Sequence, residues 1–385
     1  MRLIGGYLIR EISLGILAVL LGFLGLFAFF DLINELEDIG TGGYKLQHAV
    51  LYVLLSLPGH VYELMPVAAL IGCIYALAQF AGSSEFTAMR AAGMSRFMAL
   101  RSIIGIGVVL AILTALAGEW VAPVAEQLAQ KLRLNVLGAS QGGTFRSGLW
   151  IKDSVKDEQG RPVRLRFVNI GQLTPDGRME RIEIHEFDPS FRLSSVIRAA
   201  AGTYDPQTLA DGTVRSQWRL TGVERTRFDV ATGESGIEAL RARLAREEAM
   251  AWESDLNPGI LAVLTIAPDR MSAWALWRYT RHLRENAQNA SRYELALWKK
   301  IVYPVAIIVM LMLALPFGYL QSRAGGIGLK LFLGVMLGVG FYFMNGLFSN
   351  LGLLNTWPPW LAVSIPSMVA FALALLMLGR VGRSY

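Results

Sequence analysis

Charge is sorted along this 385-residue chain, and the sorting constrains its fold more than any motif does. Of its 66 Lys, Arg, Asp and Glu residues, 49 fall between Glu119 and Lys300, leaving 17 for the other 203. A helix crossing about 30 Å of hydrocarbon needs about 20 residues. The charge-poor flanks supply six such runs. Ile12 to Phe30, Leu64 to Ser84 and Ser102 to Gly118 carry no charge, the last extended slightly by Trp120 and Val121. Ile301 to Ser322 gives a fourth, and the uncharged run between Lys330 and Arg380 is cut in two by NTWPPW at 355–360. Pro and interfacial Trp there mark a turn at a membrane surface. With 54% hydrophobic residues and a mean hydropathy of +0.43, the chain reads as a multipass membrane protein.

Short-loop cations set the expected orientation, because Lys and Arg near membrane ends stay on the cytoplasmic side. Arg2 and Arg10, then Arg90, Arg96 and Arg101, then Arg323 and Lys330, and finally Arg380 and Arg383 all fall on one side. Both termini are therefore expected inside and the 182-residue polar insert outside. The first external loop is acidic, with Asp31, Glu35, Glu37 and Asp38 against Lys45 alone. Lys299 and Lys300 break the pattern, but they follow a large translocated domain, which escapes the loop-charge rule. The first apolar segment is longer than a signal-peptide core and no Ala-x-Ala pattern follows it before Asp31, so it reads as an anchor. Leu46 to Leu57, stopped by Pro58, is short for a span and reads as a separate helix on the outer surface.

The insert changes period. Val163 to Asn169, Arg181 to Phe187, Gln217 to Leu220 and Val223 to Phe228 alternate as half-buried strands between turn signals. Several short strands favour a sandwich, jelly roll or open barrel over a βαβ layer. From Pro268 to Lys300 a helical period returns, with Met271, Trp274, Trp277 and Leu283 spaced for one face.

Several chemistries are excluded. No lysine of the seven follows a glycine, so there is no P-loop, and any ATP hydrolysis must come from another chain. The four histidines, His48, His60, His185 and His282, are scattered and HExxH is absent, so no metal motif is present. Cys73 is the sole cysteine and sits in an apolar run, so neither an intramolecular disulfide nor a Cys-based cluster can form. A net charge of +6 is no nucleic-acid-scale excess. GASQG at 138–142 matches G-x-S-x-G, yet a helix precedes it and a strand follows, the reverse of a nucleophile elbow; it reads as a linker.

Two features point to machinery. In SSEFTAMRAAGMSRFMAL, residues 83–100, Ser83 or Ser84 can cap a helix with Glu85 at its positive end. Phe86, Met89, Gly93 and Phe97 follow one face, and Arg90 and Arg96 add charge. Spacing is compatible both with a helix lying on the membrane surface and with one that docks in the groove of a cytoplasmic motor. Gly15, Ala18, Gly22 and Gly25 form a small-residue stripe, and Gly334 with Gly338 makes GxxxG; both allow close packing, inside one subunit or along a gate between two. Glu63 and the acidic end of span one either line a polar route for a headgroup or are simply solvated.

With SEFTAMRAAGMS at 84–95, GEWVAP at 118–123 and SRYELALWKKI at 291–301 set between the spans in this order, the chain resembles the LptF/LptG permease family over nearly its whole length. The resemblance implies an α-helical membrane protein of six transmembrane helices in two groups of three, with a periplasmic jellyroll-like β domain inserted between helices 3 and 4. The implied parts are residues 1–122 with a coupling helix near 83–98, a β domain at 123–267 with its entry linker, a helical connector at 268–300, and residues 301–385. It implies a non-enzymatic permease subunit in a Gram-negative inner membrane. Its expected partners are an LptF-like permease, an LptB-like ATPase dimer that binds ATP and Mg, a membrane-anchored LptC-like protein, and lipopolysaccharide. Glu85 takes the position of the family's coupling glutamate, with Phe86, Met89, Arg90 and Gly93 around it. Relatives often carry basic residues near the outer end of span one, where Asp31, Glu37 and Asp38 stand here, so phosphate recognition is not carried over to that site; divalent cations bridging these acids to phosphates are one alternative. Arg133 does match a basic position and, with Lys131, becomes the candidate substrate contact. Competing readings are an envelope scaffold with no motor and an ABC permease for lipoproteins or another envelope lipid.

Overall fold

The computed structural model describes residues 2–41, 43–93, 95–137, 148–156, 162–174, 177–208, 214–232, 238–254, 256, 258, 261, 267–285, 289–319, 326–355 and 357–383. Its helices of seven residues or more are α1 (Arg2–Leu36), α2 (Leu46–Gly82), α3 (Glu85–Ala91), α4 (Arg96–Leu116), α5 (Ala122–Leu137), α6 (Ala273–Glu285), α7 (Ser291–Ala314), α8 (Ile327–Leu354) and α9 (Pro359–Arg383), with a single further turn at Pro316–Tyr319. A π-helical turn, Ala117–Val121, joins α4 to α5. The strands are β1 (Leu149–Lys156), β2 (Pro162–Leu173), β3 (Met179–Phe187), β4 (Leu193–Tyr204), β5 (Gln207–Thr208), β6 (Val214–Arg215), β7 (Gln217–Thr232) and β8 (Glu238–Glu253). Six helical stretches are long and apolar enough to cross a membrane, three on each side of the β insert.

The helices pack around α2, which meets α1, α5, α7 and α8 and is buried along most of its length. Leu8, Ile12, Ile16 and Leu20 form a buried line on α1 that lies against it. The crossing is tightest at Gly15 and Gly72: a Cβ on Gly72 would lie 2.4 Å from Ile16 Cα. α2 also corrects one expectation. It does not break at Pro58 but runs unbroken through Pro58 and Pro66. Each proline costs a helical hydrogen bond, yet Ala49, Val53, Ser56 and His60 continue a buried stripe across the first of them, and packing on α5 carries the helix through. At 37 residues, α2 and the joined stretch Phe97–Arg133 each run about 55 Å, well beyond a bilayer core. At the end nearest the β insert α2 packs on α5, and the two together form a stalk.

The insert is antiparallel throughout, in the order β1-β2-β3-β4-β7-β8, with β5 and β6 as a separate two-stranded pair. β3 shows why. Ile182 and Ile184 point inward, between Ile170 and Val168 on β2 and Ala199 and Ile197 on β4, while Glu183 points out to Arg198. Arg166 on β2 donates to the Glu253 carbonyl on β8 at 2.9 Å although three strands separate them, so the sheet curls over its apolar face as a jellyroll-like layer does. Trp218 sits in that fold, fully buried, its indole N–H donating to the Leu256 carbonyl at 2.8 Å. α6 departs from its expected face. Leu276, Tyr279 and Leu283 are buried, whereas Trp274 and Trp277 are exposed beneath Arg278 and Arg281.

One polar cluster is sealed inside the β domain. Glu186 accepts from Arg166 at 2.9 Å, from Ser195 at 2.6 Å and from Arg225 at 3.4 Å. Burial pushes its carboxyl upward, but the Ser195 hydroxyl and the two guanidinium groups outweigh that and hold it below the usual carboxylate range. Its contribution is therefore complete above the unfolded carboxyl value of about 4.3 and is lost as pH falls through the lower folded value. Glu186→Ala leaves two arginines facing an empty site and is expected to destabilise the domain by about 3–5 kcal/mol at neutral pH. Denaturant melts followed by β-sheet circular dichroism measure this, and wild-type stability in the variant would refute it.

Candidate functional site

Two groups of polar side chains mark the ends of the bundle. At the β-domain end, the acidic residues after span one are compensated from within the chain. Asp31, Glu35 and Asp38 follow one helical face of α1 and the turn beyond it. His60 on α2 meets Asp31 at 2.6 Å. Arg133 on α5 lies between Asp38, which accepts a short hydrogen bond from it, and Glu35 at 3.5 Å, with its guanidinium over the Tyr52 ring. Tyr44 donates to Glu35 at 2.7 Å. Burial and that bond push the Tyr44 phenol well above its ordinary value, so it remains a donor throughout the working pH range. Glu37 is exposed.

A second set of bonds ties the return from the β domain to the spans. Glu119, in the π turn, accepts the backbone N–H of Ala273 at 2.6 Å and of Trp274 at 3.2 Å, which caps the start of α6. A carboxylate there satisfies orphan N–H groups and complements the helix dipole. Arg270 reaches Glu126 at 2.8 Å, and Lys299 reaches Asp269 at 3.2 Å. Lys300 donates to the Gly118 carbonyl at 3.0 Å and lies 4.4 Å from the centre of the Tyr62 ring. Gly118 is obligatory here, since a Cβ would lie 2.4 Å from that ring. In GEWVAP, then, the glycine admits an aromatic ring and the glutamate clamps the connector.

At the opposite end, α3 is a two-turn helix held against α2. Ser83 does not cap it: its hydroxyl turns back to the Gln79 carbonyl at 3.1 Å and closes α2. Ser84 adopts a left-handed φ of 62° and offers its carbonyl to Ala88 N–H. Glu85, the first residue of α3, accepts from the Tyr7 hydroxyl at 3.1 Å, which connects this helix to α1. Met89 packs into the bundle core. Gly93 lies in the turn after α3, with φ 95°, and does not extend the helical face. The side chains of Phe86 and Arg90 fall outside the described residues.

The remaining predicted positions divide by environment. Gly15 meets the Gly72 carbonyl, Gly334 meets Ile74 and Gly338 meets Val67, all within this chain. Ala18, Gly22 and Gly25 lie on an exposed face. Lys131 is exposed beside the paired Arg133. GASQG at 138–142 falls outside the described residues. Among the described residues no group of three His, Cys, Asp or Glu is placed to hold a metal ion. Sequence reasoning missed the Asp31–His60 and Glu126–Arg270 pairs and the role of Lys300. The i, i+4, i+7 spacing of Asp31, Glu35 and Asp38 was the available signal for shared partners.

Against known proteins, residues 6–380 match the family of the lipopolysaccharide export system permease LptF/LptG. The chain belongs to that family. Among its relatives, the lipopolysaccharide export system permease protein LptG of Escherichia coli strain K12 is 29% identical over 374 residues, and that of Haemophilus influenzae 28% identical over 377. In both comparisons the match covers 97% of each chain. LptF/LptG membership at full length accounts for six spans interrupted once by an antiparallel β domain.

Proposed function

We propose that this chain is the LptG-type permease subunit of an ATP-driven exporter that lifts lipopolysaccharide out of the inner membrane. Full-length family membership carries the reading. Its LptF-like partner completes the membrane cavity, an LptB-like ATPase dimer supplies ATP and Mg chemistry on the α3 side, and an LptC-like protein receives lipid beyond the β domain. Both termini and α3 are then cytoplasmic, and the β domain is periplasmic, as the short-loop cations favour. An energy source is needed because each buried CH₂ of an acyl chain anchors the lipid by about 0.8 kcal/mol.

In this mechanism motor closure pushes α3. The Tyr7–Glu85 bond passes that movement to α1, and Met89 passes it to the core around α2. Movement of α1 and α2 narrows the cavity, while the Glu119 clamp and the Arg270–Glu126 pair keep the β domain's exit connector seated on the stalk. The chain itself catalyses no bond change in this scheme.

Reconstitution with LptF-type and LptB-type subunits in vesicles loaded with lipopolysaccharide tests the assignment. Release to a soluble acceptor is expected with ATP and is expected to cease with a non-hydrolysable analogue. A complex that hydrolyses ATP yet releases another lipid and leaves lipopolysaccharide in place would refute it.

A further inference from the structure

A cavity of about 230 Å³ opens between α2, α7, α8 and the segment before α6, lined by Tyr62, Glu63, Asp269, Lys300, Tyr303 and Asn345. Its walls carry more hydrogen-bond donors than the chain uses. Among the described residues nothing partners the hydroxyl of Tyr62, which is 8% exposed, or the buried amide nitrogen of Asn345. Lys300 gives one N–H to the Gly118 carbonyl, and among the described residues no carboxylate lies within ion-pair distance of it. An ammonium has three donors, and beyond the Gly118 carbonyl this one meets only the face of the Tyr62 ring, 4.4 Å from its centre, among the described contacts. The wall's acceptors are partly engaged: Asp269 holds Lys299 at 3.2 Å, and Glu63 lies 4.0 Å from His60. Unmet buried donors beside a cation favour an anionic oxygen ligand, because each such bond is charge-assisted.

The position of the cavity narrows the choice. It adjoins the charged borders of two apolar runs, Glu63 on α2 and Lys300 on α7, while Asn345 lies on α8 more than two turns before that helix ends at Leu354. Tyr342, on its rim, is 57% exposed and continues into the exposed apolar face of α8 with Val339 and Phe343. A headgroup entering here would leave its acyl chains along that face.

We infer that this cavity is a binding site for a phosphate-bearing lipid headgroup, with Lys300, Tyr62 and Asn345 as its donors. The assignment stands on the cavity and does not depend on the export reading. Native mass spectrometry of the full chain in detergent, titrated with dioleoylphosphatidylglycerol, tests it, with inorganic phosphate as a competitor. One saturable lipid adduct is expected, weakened about tenfold by Lys300→Met or Tyr62→Phe and restored towards wild type by Lys300→Arg. Displacement by millimolar phosphate would support the same donors while naming the free ion as a second source of the ligand. Asn345→Leu changes only the opposite wall and gives the same reading if Lys300→Met fails to fold. Equal lipid affinity in wild type and in the Asn345→Leu and Tyr62→Phe variants, or adducts that never saturate, would overturn the assignment.

Discussion

Gly72→Leu is expected to lift α1 from α2 and expose the sole cysteine to alkylation. The crossing leaves no room for a side chain: a Cβ on Gly72 meets Ile16 Cα at 2.4 Å and Ile16 N at 2.5 Å, and one on Gly15 meets the Gly72 carbonyl at 2.7 Å. These are backbone contacts, which no rotamer change relieves. Overpacking ordinarily costs about 1–3 kcal/mol, and a four-carbon side chain set against a backbone exceeds the upper figure unless the helices separate. Beyond this crossing α1 packs on α4 and is held by the Tyr7–Glu85 bond to α3 and the Glu35–Arg133 pair to α5, while much of its remaining surface is exposed. Cys73, fully buried in the same cluster as Ile12 and Ile16, is a built-in reporter. The wild-type chain should resist N-ethylmaleimide in membranes, and Gly72→Leu should react at least tenfold faster, about 1.4 kcal/mol of lost protection. Unchanged protection would show that the crossing tolerates bulk. A Gly72→Ala variant, smaller by three carbons, is expected to fall between the two.

Much of this architecture was legible because a bilayer demands long uncharged runs and a sheet demands alternation. Six spans follow from where Asp, Glu, Lys and Arg do not occur, and β3 follows from Ile182, Ile184 and the charges between them. Pro58 misled, because its local penalty is overridden by the buried stripe of Ala49, Val53, Ser56 and His60, which only the packed helix reveals. β8 is the opposite case. EALRARLAREEAMAWE is rich in good helix formers, yet it pairs with β7 from Gln217 opposite Glu253 to Thr232 opposite Glu238. Tertiary pairing decides its state. The polar clasps were illegible for a simpler reason: Asp31 and His60 lie 29 positions apart, Glu126 and Arg270 144, and Gly118 and Lys300 182. A single sequence supplies charges but not their partners.

Those clasps also give the acidic end of span one a physical account. Asp38 and Glu35 neutralise Arg133, and Asp31 engages His60, so the chain satisfies internally charges that would otherwise stand exposed beside a headgroup layer. Arg133 is thereby a weaker candidate for free lipid phosphate than its position in the sequence suggests, and Lys131 beside it is the more available cation. Among the described residues, the Tyr62 hydroxyl and the Asn345 amide nitrogen in the Lys300 cavity are buried without a hydrogen-bond partner.

Charge reversal at the opposite end is expected to have the largest effect on function. Glu85→Lys removes the acceptor for the Tyr7 hydroxyl and, if the proposed ATPase meets Glu85 with basic groups, sets like charges against each other. Juxtaposed like charges cost several kcal/mol, and each 1.4 kcal/mol is tenfold, so lipid release should fall by about a hundredfold while the motor continues to hydrolyse ATP. Two further variants separate the links in this chain of events. Glu85→Gln keeps an amide oxygen for Tyr7 but discards the charge, so it isolates the contact with the motor. Tyr7→Phe keeps the charge but cuts the bond to α1, so it isolates transmission within the membrane. If motor docking dominates, Gln at 85 approaches the reversed variant and Phe at 7 stays near wild type; if the α1 link dominates, the order is inverted. ATP turnover and lipid release measured together in the reconstituted complex distinguish these outcomes. Release at the wild-type rate from Glu85→Lys would remove α3 from the coupling path, because neither the motor contact nor the Tyr7 bond would then be required.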